Sequence, residues 1–244
     1  MKYAAKLSAL IITLLCFSNL VNAQFRFGVK AGGTVSTLTT TSLVLEDIDA
    51  TLNYQAGAMV QYNIVGSAFK TEGVTPKKVR VKNFWNSLSF GLAVQPELLL
   101  STKGGNIRDA DASSYLRVYD DDLEDLKYTS YNINLPLNIL FGVKYKKVVY
   151  YLLGSPYVSY LAGGQMNGDK TLFSSIDGEF RFNRFDFGLS YGGGVQFNHF
   201  QLAVSYDYGL IEIGQKTTTD LNGNYNPFFL MNNRSLNVSL GYFF

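Results

Sequence analysis

The chain has 244 residues, 47% hydrophobic and 15% aromatic, with 21 basic and 19 acidic side chains. That length suits one domain, and so small a charge imbalance gives no argument for binding nucleic acid. Cys16 is the only cysteine, which excludes an intrachain disulfide and a cysteine metal site.

Residues 1–23 read as a secretory signal peptide. Lys2 and Lys6 make a basic start, Leu7 to Phe17 an apolar core, and Val21-Asn22-Ala23 a small-residue cleavage site before Gln24. The apolar run is short of the ~20 residues that a membrane-spanning helix needs. Cys16 follows Leu14-Leu15 rather than a small residue, which argues against a lipoprotein site. The leader contains no acid, so residues 24–244 are formally neutral and form the expected barrel domain. No later apolar run is long enough for a transmembrane helix, so a chain that enters a membrane does so as a closed barrel.

The remaining elements are strands with period-2 alternation. Strand one has Phe25, Phe27, Val29 and Ala31 against Arg26, Gly28, Lys30 and Gly32. A loop at 39–51 leads to strand two, with Leu52, Tyr54, Ala56, Ala58, Val60 and Tyr62 on one parity. Residues 64–85 are a polar connection carrying Lys70, Lys77, Lys78, Arg80 and Lys82. Strand three, Asn86 to Ser101, sets Leu88, Phe90, Leu92, Val94, Leu98 and Leu100 against Gln95 and Glu97. An acidic loop follows at 103–126. Strand four has Tyr131, Ile133, Leu135, Leu137, Ile139, Phe141, Val143 and Tyr145 opposite Asn132, Asn134, Asn138 and Lys144. After the Lys146-Lys147 turn, strand five (148–162) is apolar on both parities and its faces cannot be assigned. Residues 163–179 are a loop.

Strands six and seven form one hairpin about Asn198-His199. Phe185, Phe187, Leu189, Tyr191, Val195 and Phe197 alternate with Asp186, Gly188, Ser190, Gly192, Gly194 and Gln196; Phe200, Leu202, Val204, Tyr206, Tyr208 and Leu210 alternate with Gln201, Ala203, Ser205, Asp207 and Gly209. A loop at 214–232 precedes strand eight, where Leu236, Val238, Leu240, Tyr242 and Phe244 oppose Ser235, Asn237, Ser239 and Gly241. One face is large and apolar, the other small, polar and glycine-rich. A soluble barrel puts the bulky face inside; a transmembrane barrel inverts this, and glycine suits a narrow lumen. The expected fold is therefore all-β: an eight-stranded antiparallel up-and-down transmembrane β-barrel. Its short and long connections alternate as periplasmic turns and outer loops do, except at 64–85. Pro96, Pro136 and Pro156 fall within strands and read as bulges or bends. Tyr62, Phe84, Trp85 and Tyr145 suit an interfacial aromatic belt.

Arg26, Lys30, Glu97, Lys144, Arg184, Asp186 and Asp207 share the inward face. Buried charges must be paired, so they read as a lumen charge network that plugs the barrel. Barrel enzymes usually pair a histidine with a nucleophile; the single histidine, His199, sits in a turn. Acid–base work by Glu97, Asp186 and Asp207 is the alternative. The acidic loop lacks the spacing of an EF-hand calcium site, and the Gly192-Gly193-Gly194 run lies mid-strand rather than before a helix. No cofactor, metal site or nucleic-acid partner is expected.

The pieces FRFGVKAGGTVSTL (25–38), QPELLLSTKGG (95–105), YNINLPLNILFGVKY (131–145), YLLGSPYVSYLAGG (151–164), FDFGLSYGGGVQF (185–197), YDYGLIEI (206–213) and NRSLNVSLGYFF (233–244) resemble, in order and spacing, the PorT-like outer-membrane β-barrel family of Bacteroidetes. The resemblance implies the outer membrane of a Gram-negative bacterium, surrounding outer-membrane lipid, and in-strand prolines like Pro96 and Pro136. It makes Leu240, Tyr242 and Phe244 similar to the terminal signal read by the barrel-assembly machinery. One branch of the family belongs to a protein-secretion system. The expected function is non-enzymatic: a structural or partner-binding role through loops and periplasmic turns. A PorT-like secretion component, with a periplasmic or secretion-system partner, and an integral-membrane enzyme are the alternatives.

Overall fold

The computed structural model describes residues 25–40, 48–69, 88–107, 126–166, 180–219 and 225–244. The expected signal peptide, Phe84, Trp85 and most of the basic and acidic connections lie outside them. The described chain holds ten strands: β1 (Phe25–Thr40), β2 (Ile48–Gly66), β3 (Leu88–Ile107), β4 (Leu126–Tyr145), β5 (Val148–Met166), β6 (Phe180–Phe182), β7 (Phe185–Phe197), β8 (Phe200–Gly209), β9 (Gly214–Thr219) and β10 (Tyr225–Phe243). Eight of them make the wall, in the order β1-β2-β3-β4-β5-β7-β8-β10, closed by an antiparallel β1–β10 ladder from Gly28↔Phe243 to Thr40↔Met231. Closure pairs the backbone around the ring and leaves no free sheet edge to face lipid.

The period-2 pattern sets the wall's two faces. In β10, Leu236, Val238 and Leu240 are 45%, 49% and 55% exposed, whereas Ser235, Asn237 and Ser239 are 1%, 5% and 4% exposed. The apolar parity thus faces outward, the inversion that a lipid exterior requires. β5 resolves in the same frame: Val149, Tyr151, Leu153, Tyr157 and Leu161 are buried inside, while Tyr150 and Leu152 face out. Its alternation is silent in the sequence because this strand brings apolar bulk into the lumen as well as to the lipid. Leu152→Arg, near the middle of the outer band, is expected to destabilise the barrel by about 2–4 kcal/mol. Urea titration of barrel folded into vesicles measures this; a neutral result would mean that β5 presents the other face to lipid.

The strands run further than the alternation. β3 continues six residues past Ser101, to Ile107, β4 begins at Leu126 and β5 ends at Met166. The ends of the segments read as loops are therefore ladder, as in Lys103↔Ser130 and Tyr128↔Met166. The loop expected at 214–232 holds β9 and the start of β10, which pair with each other, and β9 also pairs with β6. Where both faces of a strand are wet, backbone pairing persists but the hydrophobic period disappears.

At Pro96, Pro136 and Pro156 no ladder changes register, so the three are not bulges. Each falls in an in-register lapse of pairing with the preceding strand: between Met59↔Glu97 and Tyr62↔Val94, between Pro96↔Leu137 and Leu99↔Asn134, and between Pro136↔Tyr157 and Ile139↔Gly154. A residue without an N–H forfeits a ladder bond without needing an inserted residue. The register shifts fall elsewhere, at Ala50/Gln55, Asn63/Val65 and Tyr131/Asn132 in the wall.

The turns Lys146-Lys147 and Asn198-His199 join strands paired at Tyr145↔Val148 and Phe197↔Phe200. Lys146 and Asn198 take φ of 57° and 53°, the left-handed conformation of tight hairpin turns. Both turns lie at the end of the barrel that carries Phe25 and Phe244, the periplasmic end in bacterial barrels.

Candidate functional site: the filled lumen

From the periplasmic end upward, the interior is built in layers. At the rim, Arg26 Nη2 donates to the Asn198 carbonyl (2.8 Å) and its guanidinium lies 4.3 Å from the Phe243 ring centroid. His199 Nδ1 meets the Phe243 carbonyl at 2.8 Å. Phe243 is the aromatic of β10 on the inward parity and is fully buried. These contacts fasten the β7–β8 turn to the strand that closes the ring.

Next comes an apolar plug. After β2 the chain turns at Ser67 and tucks Ala68 and Phe69 into the mouth, where they pack with Ala93, Leu140, Val149, Tyr151, Leu153 and Ala203. Asn63 Nδ2 donates to the Phe69 carbonyl (3.2 Å). Gly142 makes the cradle: a β-carbon there would overlap the Phe69 ring.

Against the plug lies a glutamine layer. Gln95 and Gln201 exchange amide hydrogen bonds of 3.1 and 3.2 Å, and Gln61 donates to Gln196 (3.4 Å). Gln95 also donates to Glu97 (2.7 Å), whose two oxygens both receive Lys30 Nζ, at 2.7 and 2.8 Å. The Glu97 side chain is 1% exposed and that of Lys30 9%. Ser190 Oγ donates to Asp207, and Thr34 Oγ1 to Asn237 Oδ1. Higher still, Asp186 Oδ2 accepts from Asn233 (2.8 Å) and from the Tyr157 hydroxyl (3.4 Å), with Lys103 Nζ at 4.0 Å.

Of the residues expected to share a lumen network, Lys30 and Glu97 meet directly. Asp186 and Asp207 face inward with different partners, and Arg26 serves the rim. Lys144 is half-buried near the periplasmic end, opposite Ser89 and Val149. Arg184 differs from expectation: it precedes β7, is exposed, and donates to the Tyr160 hydroxyl (3.2 Å). The chain bends at Asn183-Arg184, so strand parity no longer aims the side chain. Lys103, the cation nearest Asp186, was hidden because its segment reads as loop; extending the Glu97 parity through Leu99 and Ser101 points it inward. Nothing in the alternation marks Phe69.

The three carboxylates are engaged separately, and His199 is held by a backbone carbonyl at the rim. Among the described residues no group of three or more His, Cys, Asp or Glu side chains could hold a metal ion. The acidic 103–126 segment lies mostly outside them. Leu240, Tyr242 and Phe244 face outward at the closing seam; Tyr242 packs on Phe200 at 5.3 Å and on Phe244 at 5.9 Å.

An apolar exterior, a polar filled interior and a ring of eight antiparallel strands define an outer-membrane barrel. The chain belongs to the outer membrane protein beta-barrel domain family, whose model matches residues 17–215. It resides in the outer membrane of a Gram-negative bacterium. Among solved structures it is similar to Ail, the attachment invasion locus protein of Yersinia pestis, in complex with the heparin analogue sucrose octasulfate (11% identity, 91% of this chain and 99% of that one, TM-score 0.39). It is also similar to Neisserial surface protein A (13%, 89% and 97%, 0.35). A third is a major outer membrane protein from Thermus thermophilus (13%, 90% and 99%, 0.38). Among curated proteins none matches the sequence.

Proposed function

We propose that this protein is a non-enzymatic, non-conducting barrel that acts as a structural or partner-binding element through its outer loops and periplasmic turns. The filled lumen carries the reading: an apolar plug, a glutamine layer and the bidentate Lys30–Glu97 pair occupy it. Eight strands leave an interior that side chains can fill. The enzymatic alternative needs lumen carboxylates gathered at one substrate site, whereas Glu97 is engaged by Lys30, Asp186 by Asn233 and Tyr157, and Asp207 by Ser190. Surrounding lipid, and an assembly machinery that reads Leu240, Tyr242 and Phe244, are the partners this reading requires. Purified barrel in a planar lipid bilayer is expected to give no conductance steps; a steady single-channel current would overturn it.

A second reading, a PorT-like secretion component, is favoured by the root of the basic connection. Phe69, the last described residue before that connection, is lodged in the periplasmic mouth. Deleting residues 71–86 while keeping Phe69 is expected to leave a heat-modifiable barrel and to abolish secretion. Unchanged secretion by that variant would sink this reading.

A further inference from the structure

Beside the Lys30–Glu97 pair, which forms part of its wall, the lumen holds a cavity of about 30 Å³ that also meets Asn134, Ser190, Ser205 and Asp207. By volume it holds about two water-sized species. Two observations show that it is built for more than packing. Asn134 is 7% exposed; its Nδ2 donates to Ser101 Oγ at 2.7 Å, and its Oδ1 has no hydrogen-bond partner. A buried acceptor left unpaired is costly, so a species that supplies positive charge or a proton at that atom is favoured.

The second is a carboxylate in the cavity wall without an ion-pair partner. Among the described residues the ion pairs are Lys30–Glu97 and, longer, Lys103–Asp186. Glu97 and Lys30 neutralise each other, and Lys103 stands by Asp186. That leaves Asp207, which is half-buried, receives the Ser190 hydroxyl and has no cation within ion-pair distance among the described residues. An uncompensated carboxylate in a narrow lumen is unfavourable. The groups facing the chamber offer carboxylate, amide and hydroxyl oxygens, the donor set that hard cations prefer. One odd carboxylate matches a single positive charge; calcium sites collect more carboxylates and a wider oxygen shell.

We propose that the chamber binds one monovalent cation of sodium size. The Asp207 carboxylate and Asn134 Oδ1 hold it, with the Ser190 and Ser205 hydroxyls at its flanks. The bound ion offsets the Asp207 charge locally and satisfies the orphaned amide oxygen, tying β4 to β7 and β8.

The test uses full-length barrel purified from outer membranes in non-ionic detergent. The unfolding midpoint is read from heat-modifiable migration at constant ionic strength in sodium or tetramethylammonium chloride. With sodium at about ten times its dissociation constant, the midpoint is expected to stand about 4 °C above that in tetramethylammonium. Asp207→Asn should fold and lose the difference. Asn134→Ala, which keeps the carboxylate, should at least halve it and serves if Asp207→Asn does not fold. Equal midpoints in the two salts would overturn the proposal. So would a sodium effect that survives in Asp207→Asn or in full in Asn134→Ala, because the ion would then bind elsewhere, as on the acidic 103–126 segment.

Discussion

Replacing Glu97 with alanine is expected to destabilise the barrel by about 3–5 kcal/mol, the cost of leaving a buried ion without its partner. Lys30 would keep its charge in a site where its side chain is 9% exposed, and Gln95 would lose the acceptor 2.7 Å from its amide. The double variant Lys30→Met, Glu97→Ala removes the stranded charge and is expected to recover most of that loss, because apolar replacements of a buried pair are often neutral. Urea unfolding in vesicles of Glu97→Ala, of the single variant Lys30→Met and of the double variant gives the cycle. A Glu97→Ala loss under about 1 kcal/mol would place the pair in the range of solvated surface bridges and would mean that water fills the lumen at this level.

Phe69→Ala has a comparable expected cost, about 3–5 kcal/mol, from emptying a packed aromatic site. It also has a second readout. The ring is 2% exposed, lies 6.4 Å from the Tyr151 ring and fills the hollow left by Gly142. Without it the periplasmic mouth loses its stopper, and intermittent conductance in a planar bilayer is expected where the parent protein is silent. A large stability loss with a silent bilayer would assign the seal to the glutamine layer that lies against it.

The wall was legible because lipid on one side and a crowded polar lumen on the other impose opposite demands on successive residues. Ser235 and Leu236, or Asp186 and Phe187, state their faces by chemistry alone. β5 does not, since Tyr151 and Leu153 are as apolar as Tyr150 and Leu152, and only the neighbouring ladders settle which pair turns inward. The lumen was legible where charge followed parity, as at Lys30 and Glu97. It was illegible where the strand outlasted the membrane, which hid Lys103, or where the chain bent, which turned Arg184 outward. Phe69 lay beyond any pattern: it reaches the interior through a turn, and its burial depends on Gly91 and Gly142 of two other strands.

The length of the staves has a consequence for what meets this protein from outside the cell. A β-strand crosses a bilayer with about 9–11 residues, and β3, β4 and β5 have 20, 20 and 19. The surplus lies past Leu100, Tyr131 and Tyr160, where the outward parity leaves its large apolar run. Six or so extra residues on a tilted strand raise the rim by roughly 15 Å. The described strands therefore end at the top of a collar rather than at the lipid surface, and a macromolecule that meets that rim would stand clear of the head groups.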